Sequence, residues 1–191
     1  TYRIVVSPRP SRDPRPAGLL ADAHALGLHQ VTGLECQDVY FIEGQLAAGD
    51  LQDIALGLLS DPITQTVEWG RIFMPFRPSP QVGKVVEVAL RPGVTDPVAE
   101  QIVRAAHQLG LGGVQRAATG QRYQVFGELV DEPVLHLLAR RLLANPVIQR
   151  YSTAEIEPVF PHPAEASALV EMIPLRGLDD TQLQELSQLR R

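Results

Sequence analysis

The chain has 191 residues, 45% hydrophobic and 20% charged, with 17 Lys and Arg against 22 Asp and Glu for a formal charge of −5. This is the composition of a folded globular chain, with no apolar run long enough to span a bilayer and no signal-peptide pattern, so a cytoplasmic protein without membrane contact is expected. A single cysteine, Cys36, excludes an internal disulfide and a cysteine zinc site, and an acidic balance with 5% aromatics disfavours nucleic acid as a partner.

In chain order, Tyr2 to Pro8 is rich in β-branched residues and reads as a strand. Asp13 then caps a helix with Pro14 at its first position, where the missing N–H costs nothing. Leu19, Ala23 and Leu26 recur at helical spacing, and Gly27 supplies a left-handed cap. A strand pair follows, Val31 to Asp38 with Val39 to Leu46. A second helix runs from Asp50 to Leu59 and stops at Asp61-Pro62, because the residue before proline avoids the α region. Ile63 to Trp69 closes the series as a strand. The connector 70–83 carries Pro75, Pro78 and Pro80 among the apolar Ile72, Phe73, Met74 and Phe76, and those apolar residues are expected to lie along the folded body.

The same order then recurs. Val85 to Leu90 is a strand; Asp96 and Pro97 open a helix through Ile102, Ala106 and Leu109 that Gly110 ends. Val114 to Ala118 and Arg122 to Val130 form a strand pair about a turn at Gly120, Val134 to Ala144 is a helix stopped by Asn145-Pro146, and Val147 to Ile156 is a last strand. The recurrence reaches single residues: Asp13-Pro14, His24, Leu26-Gly27-Leu28, Val31, Tyr40 and Gly44 return as Asp96-Pro97, His107, Leu109-Gly110-Leu111, Val114, Tyr123 and Gly127, all 83 positions on. Arg9-Pro10 returns as Arg91-Pro92 at 82 and Pro62 as Pro146 at 84, and these slips fall in loops, which tolerate insertions. Each copy reads β-α-β-β-α-β. The expected fold class is therefore α+β: two tandem ferredoxin-like modules, 1–69 and 84–157, packed as a pseudo-dimer because a module of about 70 residues buries too little surface to stand comfortably alone.

The remainder, 158–191, is a linker through Pro158, Pro161, Pro163 and Pro174 to Asp179. Asp179 caps a helix from Asp180 to Arg190, with Gln182 completing a capping box and Leu183, Leu186 and Leu189 on one stripe.

Catalytic signals are weak throughout. Cys36 lies in a strand between Glu35 and Asp38, which disfavours a thiolate, and reads as structural. His162 and Glu165 are close together but have no nucleophile to serve, and no glycine-rich phosphate loop is present. His24 and His107 fall in the last turn of each first helix, where a cationic side chain suits the helix end. Tyr40 and Tyr123 read as cross-strand packing. Glu35, Asp38, Glu43, Asp50 and Asp53 lack metal-ligand spacing and read as a solvated face. No catalytic, cofactor-binding or metal residue is assigned.

The run Arg91-Pro92-Gly93-Val94-Thr95-Asp96-Pro97, a helix ending Ala106-His107-Gln108-Leu109-Gly110, and Leu142-Leu143-Ala144-Asn145-Pro146-Val147-Ile148 before a strand resembles the PurS family, the small subunit of phosphoribosylformylglycinamidine synthase. Ser7-Pro8-Arg9-Pro10, Asp13-Pro14 and Leu59-Ser60-Asp61-Pro62-Ile63 extend the resemblance over the first copy. The tail, at Ile173-Pro174-Leu175 and Leu178-Asp179-Asp180, resembles the segment leading into the PurL synthetase. Ala99 stands where the family tends to have glycine, and Ala117 to Gln121 where it has a basic stretch. The resemblance implies a noncatalytic scaffold that joins PurL synthetase domains, on the same chain, to a PurQ-type glutaminase and supports ammonia transfer. ATP, magnesium and glutamine would belong to the complete enzyme. The other reading the residues allow is a regulatory module that binds a small molecule between its two domains, near Gly27-Leu28 and Gly110-Leu111.

Overall fold

Tyr2, Ile4 and Val6 alternate with Arg3 and Val5 and build strand β1 (Tyr2–Pro8) at the head of the chain. The computed structural model describes residues 1–9, 13–72, 83–160 and 175–189. After β1 come helix α1 (Arg15–Ala25), strand β2 (Gly33–Gly44), helix α2 (Ala48–Asp53) running into a π-helical turn (Ile54–Leu58), and strand β3 (Gln65–Arg71). A second series follows: β4 (Lys84–Leu90), α3 (Pro97–Gln108), β5 (Val114–Phe126), α4 (Glu132–Leu138) with a π-helical turn (Ala139–Leu143), and β6 (Gln149–Ser152). Helix α5 (Asp180–Leu189) comes last. The class is α+β, with six strands in one antiparallel sheet ordered β3-β1-β2-β5-β4-β6.

Helix signals act locally and place the helices well. Asp96 caps α3 by accepting the Ala99 N–H at 3.0 Å, and Gly27 and Gly110 both take φ of 83° beyond α1 and α3. In α1 the start slips by one residue: Pro14 occupies the cap position and Asp13 accepts the Arg15 N–H at 2.9 Å. In α5, Gln182 N–H donates to Asp179 at 2.9 Å while Gln182 Oε1 accepts the Asp179 N–H at 3.1 Å, a complete capping box.

The expected strand pairs are corrected: each is one long strand, β2 and β5, and Gly120 lies inside β5 rather than at a turn. The polar residues that resemble a turn have partners across the sheet. Gln37 Nε2 donates to Ser7 Oγ at 2.7 Å, and Asp38 accepts from Arg15 Nη1 at 3.0 Å. At Gly120 a Cβ would stand 2.8 Å from the Val88 carbonyl oxygen, so glycine serves close strand approach there. Each half, 1–72 and 83–160, thus reads β-α-β-α-β among the described residues.

The halves are joined in the plane of the sheet, where β2 and β5 pair from Gly33 against Phe126 to Gly44 against Val114. They also share cores. Ala23 of α1 packs with Val86, Val88, Tyr123, Val125 and Leu138 of the second half, while Ala99, Ile102 and Ala106 of α3 pack with Ile4, Ile42 and Ile54 of the first. Each first helix therefore covers the other half's strands. On the opposite face of the sheet lies a third cluster, Val5, Val39, Phe41, Ala89 and Ala118, over which Ile156, Phe160 and Ile72 pack. Of the connector's apolar residues, Ile72 does lie along the body; Phe73, Met74 and Phe76 fall outside the described residues, as do Pro161, His162, Pro163, Glu165 and Pro174.

Candidate functional site: two braced ends, a buried ionic cluster and two corners

The repeated motifs meet in space. Arg9 donates from Nη2 to the Pro62 carbonyl at 3.2 Å, and Arg91 from Nε to the Pro146 carbonyl at 3.1 Å. Their backbone N–H groups bond Thr64 O at 2.8 Å and Ile148 O at 2.9 Å. Within each turn the Ile63 N–H donates to Asp61 and the Val147 N–H to Asn145, at 2.9 and 3.0 Å, and a glutamine Oε1 closes each turn from the far side, Gln65 on the Asp61 N–H and Gln149 on the Asn145 N–H, at 2.8 and 2.7 Å. The Ile63 N–H bond first, then the Thr64 hydroxyl, holds the Asp61 carboxyl below the usual range. Each braced turn lifts a β-branched side chain into solvent: Ile63 is 80% and Val147 79% exposed. Rigid apolar tips of this kind suit contact with another protein surface.

His24 Nε2 donates to Val31 O at 2.8 Å and His107 Nε2 to Val114 O at 2.7 Å, so both rings tie a helix end to the loop or strand that follows. Tyr123 is buried, donates its hydroxyl to Gln121, and is pushed by burial up to about 12. Among the acidic residues, Glu43 pairs with Arg116, Asp38 with Arg15, and Asp50 accepts the Ala47 N–H at 3.0 Å. The Arg116 hydrogen bond lowers Glu43.

Cys36 is 4% exposed, and burial pushes its thiol from 9.0 up to about 11, with the Arg15 charge pulling weakly the other way. A neutral buried thiol is a packing group, not a nucleophile. The folded chain holds this proton more tightly than the unfolded chain does, so stability is untouched below about pH 9 and falls as pH rises from 9.0 towards 11. Thermal unfolding across that window is expected to show this fall, and Cys36→Ala to flatten it; an unchanged slope would contradict the assignment.

Three charged residues were not singled out in the sequence. Arg3, Glu87 and Arg122 are 3%, 0% and 3% exposed on the sheet face opposite the helices. Glu87 accepts from Arg3 Nη1 at 3.1 Å, Arg122 Nη1 at 3.0 Å and the Ile156 N–H at 2.8 Å, with Arg3 Nη2 closing a fork. Burial lowers the Arg122 pKa, opposed by the Glu87 charge. A charge inside Val85-Val86-Glu87-Val88-Ala89 was the available signal, since a carboxylate amid a buried strand must be paired. The cluster ties β1 of the first half to β4 and β5 of the second and to the chain after β6.

The remaining feature is the corner where β1 leads to α1 and its counterpart between β4 and α3. A cleft of about 470 Å3 opens at the first, and about 20 Å3 remains at the second. Neither lies at Gly27-Leu28 or Gly110-Leu111. No group of three or more His, Cys, Asp or Glu that could hold a metal occurs among the described residues, and no described helix is long and apolar enough to cross a membrane.

The six-stranded antiparallel sheet with its helices defines an α+β protein consistent with the ferredoxin-like fold of PurS. Residues 84–157 match the model of the family described as PurS: phosphoribosylformylglycinamidine (FGAM) synthase, so this region is PurS-like and connects the chain to purine biosynthesis. No curated protein matches the chain.

Proposed function

We propose that the chain is a noncatalytic scaffold of FGAM synthase, joining a PurL-type synthetase to a PurQ-type glutaminase and helping to keep ammonia from solvent as it passes between them. The observation that carries this reading is the PurS match over 84–157. The reading takes 1–72 as a second PurS-like copy. In support, the brace from Arg9 to Pro62, the bond from His24 to Val31 and the turn at Asp61 each have a counterpart 82 to 84 positions on. The register adds support: Asp38 faces Gln121, 83 positions away, so rotation about that point exchanges the Cys36–Tyr123 pair with the Tyr40–Thr119 pair. A tandem pair of this kind stands in for a two-fold dimer. ATP, magnesium and glutamine are then handled by the partners, in the cytoplasm, and the tail carrying α5 leads toward synthetase domains of the same polypeptide.

The test is co-elution. The chain, mixed with a PurL-type synthetase and a PurQ-type glutaminase from one source, is expected to run with both in size-exclusion chromatography and to lose that association when Ile63 and Val147 are both changed to Asp. Separate elution of all three would overturn the reading.

A further inference from the structure

The two strand-to-helix corners occupy equivalent places in the two halves, yet one is closed and the other open. In the second half, Asp96 is buried and accepts from the Ala99 N–H at 3.0 Å, the Thr119 N–H at 2.8 Å and the Thr119 hydroxyl at 2.9 Å. Pro158, Val159 and Phe160 then cover what is left, a void of about 20 Å3. In the first half Asp13 stands in the place of Asp96 and Cys36 in that of Thr119, each 83 positions earlier. A thiol is a weak donor compared with a hydroxyl, and Asp13 turns instead to Arg15, accepting its N–H at 2.9 Å and its Nε–H at 3.0 Å. Ser7 and Glu35 replace the apolar Ala89 and Ala118 of the closed corner. The outcome is a polar cleft of about 470 Å3, within the range of about 300–1,000 Å3 typical of small-molecule sites.

Several groups lining the cleft have hydrogen-bonding capacity unspent. Gln37 gives its Nε2–H to Ser7, while its Oε1 is buried with no donor. A buried acceptor left unpaired costs about 1–3 kcal/mol, a cost that a ligand donor would remove. Glu35 is exposed at the same cleft, with no ion pair among the described residues. Arg9 commits one nitrogen to the Pro62 carbonyl and keeps the rest of its guanidinium fork. Between them lie Pro8, Pro16 and Leu34. A guanidinium recognises a carboxylate, a carboxylate beside an amide oxygen recognises an ammonium, and an apolar wall accepts an aliphatic chain. We propose that this cleft binds a free, zwitterionic α-amino acid, with its carboxylate on Arg9 and its ammonium on Glu35 and the Gln37 Oε1.

The inference stands apart from the scaffold reading, because binding here needs neither synthetase nor glutaminase. The test uses the 191-residue chain alone, titrated with each of the common L-amino acids while amide resonances and thermal unfolding are followed. At least one is expected to raise the unfolding midpoint, as a ligand that binds only the folded state must. It should shift the amides of Ser7, Glu35 and Gln37 while leaving those of Asp96 and Thr119 in place. The N-acetyl and α-carboxamide derivatives of that amino acid should have no effect, since each lacks one of the two charges. Glu35→Lys alters an exposed side chain, leaves the fold intact, and is expected to weaken binding about tenfold or more. A flat response across the panel would overturn the proposal, as would binding that survives Glu35→Lys or shifts centred elsewhere.

Discussion

Glu87→Ala is expected to cost about 3–5 kcal/mol of folding stability, among the largest losses any single substitution in this chain should produce. The methyl group leaves Arg3 and Arg122, each 3% exposed, without the carboxylate that both share. The nearest alternative for Arg122 is Glu155 at 3.9 Å, whose side chain is 49% exposed and gives little compensation. The Ile156 N–H loses its acceptor as well. The cluster is nevertheless not an optimal source of stability, because the Nε atoms of Arg3 and Arg122 are buried without partners. Taking charges out of water costs nearly as much as their attraction returns. The triple variant Arg3→Met/Glu87→Gln/Arg122→Leu removes the charges while keeping an acceptor for Ile156, and should be neutral or up to about 4 kcal/mol more stable than the natural chain. Urea unfolding of both variants checks this; a triple variant as unstable as Glu87→Ala would contradict it.

Gly127→Ala is expected to destabilise the chain by about 3 kcal/mol, and Gly44→Ala by a similar amount. A Cβ at Gly127 would lie 2.0 Å from the Gln30 carbonyl oxygen and 2.9 Å from Val130 Cγ2, and one at Gly44 would lie 2.0 Å from the Gly113 carbonyl oxygen. The obstacle in both cases is chiefly backbone, which has no rotamer to yield. Both sites are where a loop of one half crosses the end of the other half's long strand: the Thr32 N–H donates to Phe126 O at 2.8 Å and the Gln45 N–H to Gly113 O at 3.1 Å. Gly127 also holds a φ of 147°, which an L side chain seldom adopts. Gly18, inside α1 with open space around it, is the control: Gly18→Ala should stabilise by about 0.5–1 kcal/mol. Chemical denaturation measures all three. If Gly127→Ala behaves like Gly18→Ala, the described closeness of the halves is wrong.

What the sequence revealed was what depends on neighbours in the chain. The caps at Asp96 and Asp179, the left-handed glycines at 27 and 110, and strand β1 are local, and they stand where their residues put them. The long strands were hidden because Gln37-Asp38 and Thr119-Gly120-Gln121 carry turn chemistry that only partners from β1, α1 and β4 redirect. The π-helical turns left no periodicity to read. The exchange of α1 and α3 between the halves is a matter of packing over long separations, which amphipathic spacing does not record. Motifs were visible without their meaning: Arg9 and Pro62, or Arg91 and Pro146, look like punctuation until the fold brings residues 53 and 55 apart into one hydrogen bond each. The cleft was legible only in its parts. Cys36 was read correctly as a buried structural residue, while Asp13 was read only as a helix cap and Glu35 as part of a solvated face. Their difference from Asp96, Thr119 and Ala118 acquires a consequence once the two corners are compared.

The most direct measurement is the rate of FGAM formation by a PurL-type synthetase and PurQ-type glutaminase of one source, with glutamine or with ammonium as nitrogen donor, in the presence and absence of this chain. A scaffold that couples the two should raise the glutamine-dependent rate and leave the ammonium-dependent rate unchanged. Equal glutamine-dependent rates with and without the chain would contradict the account.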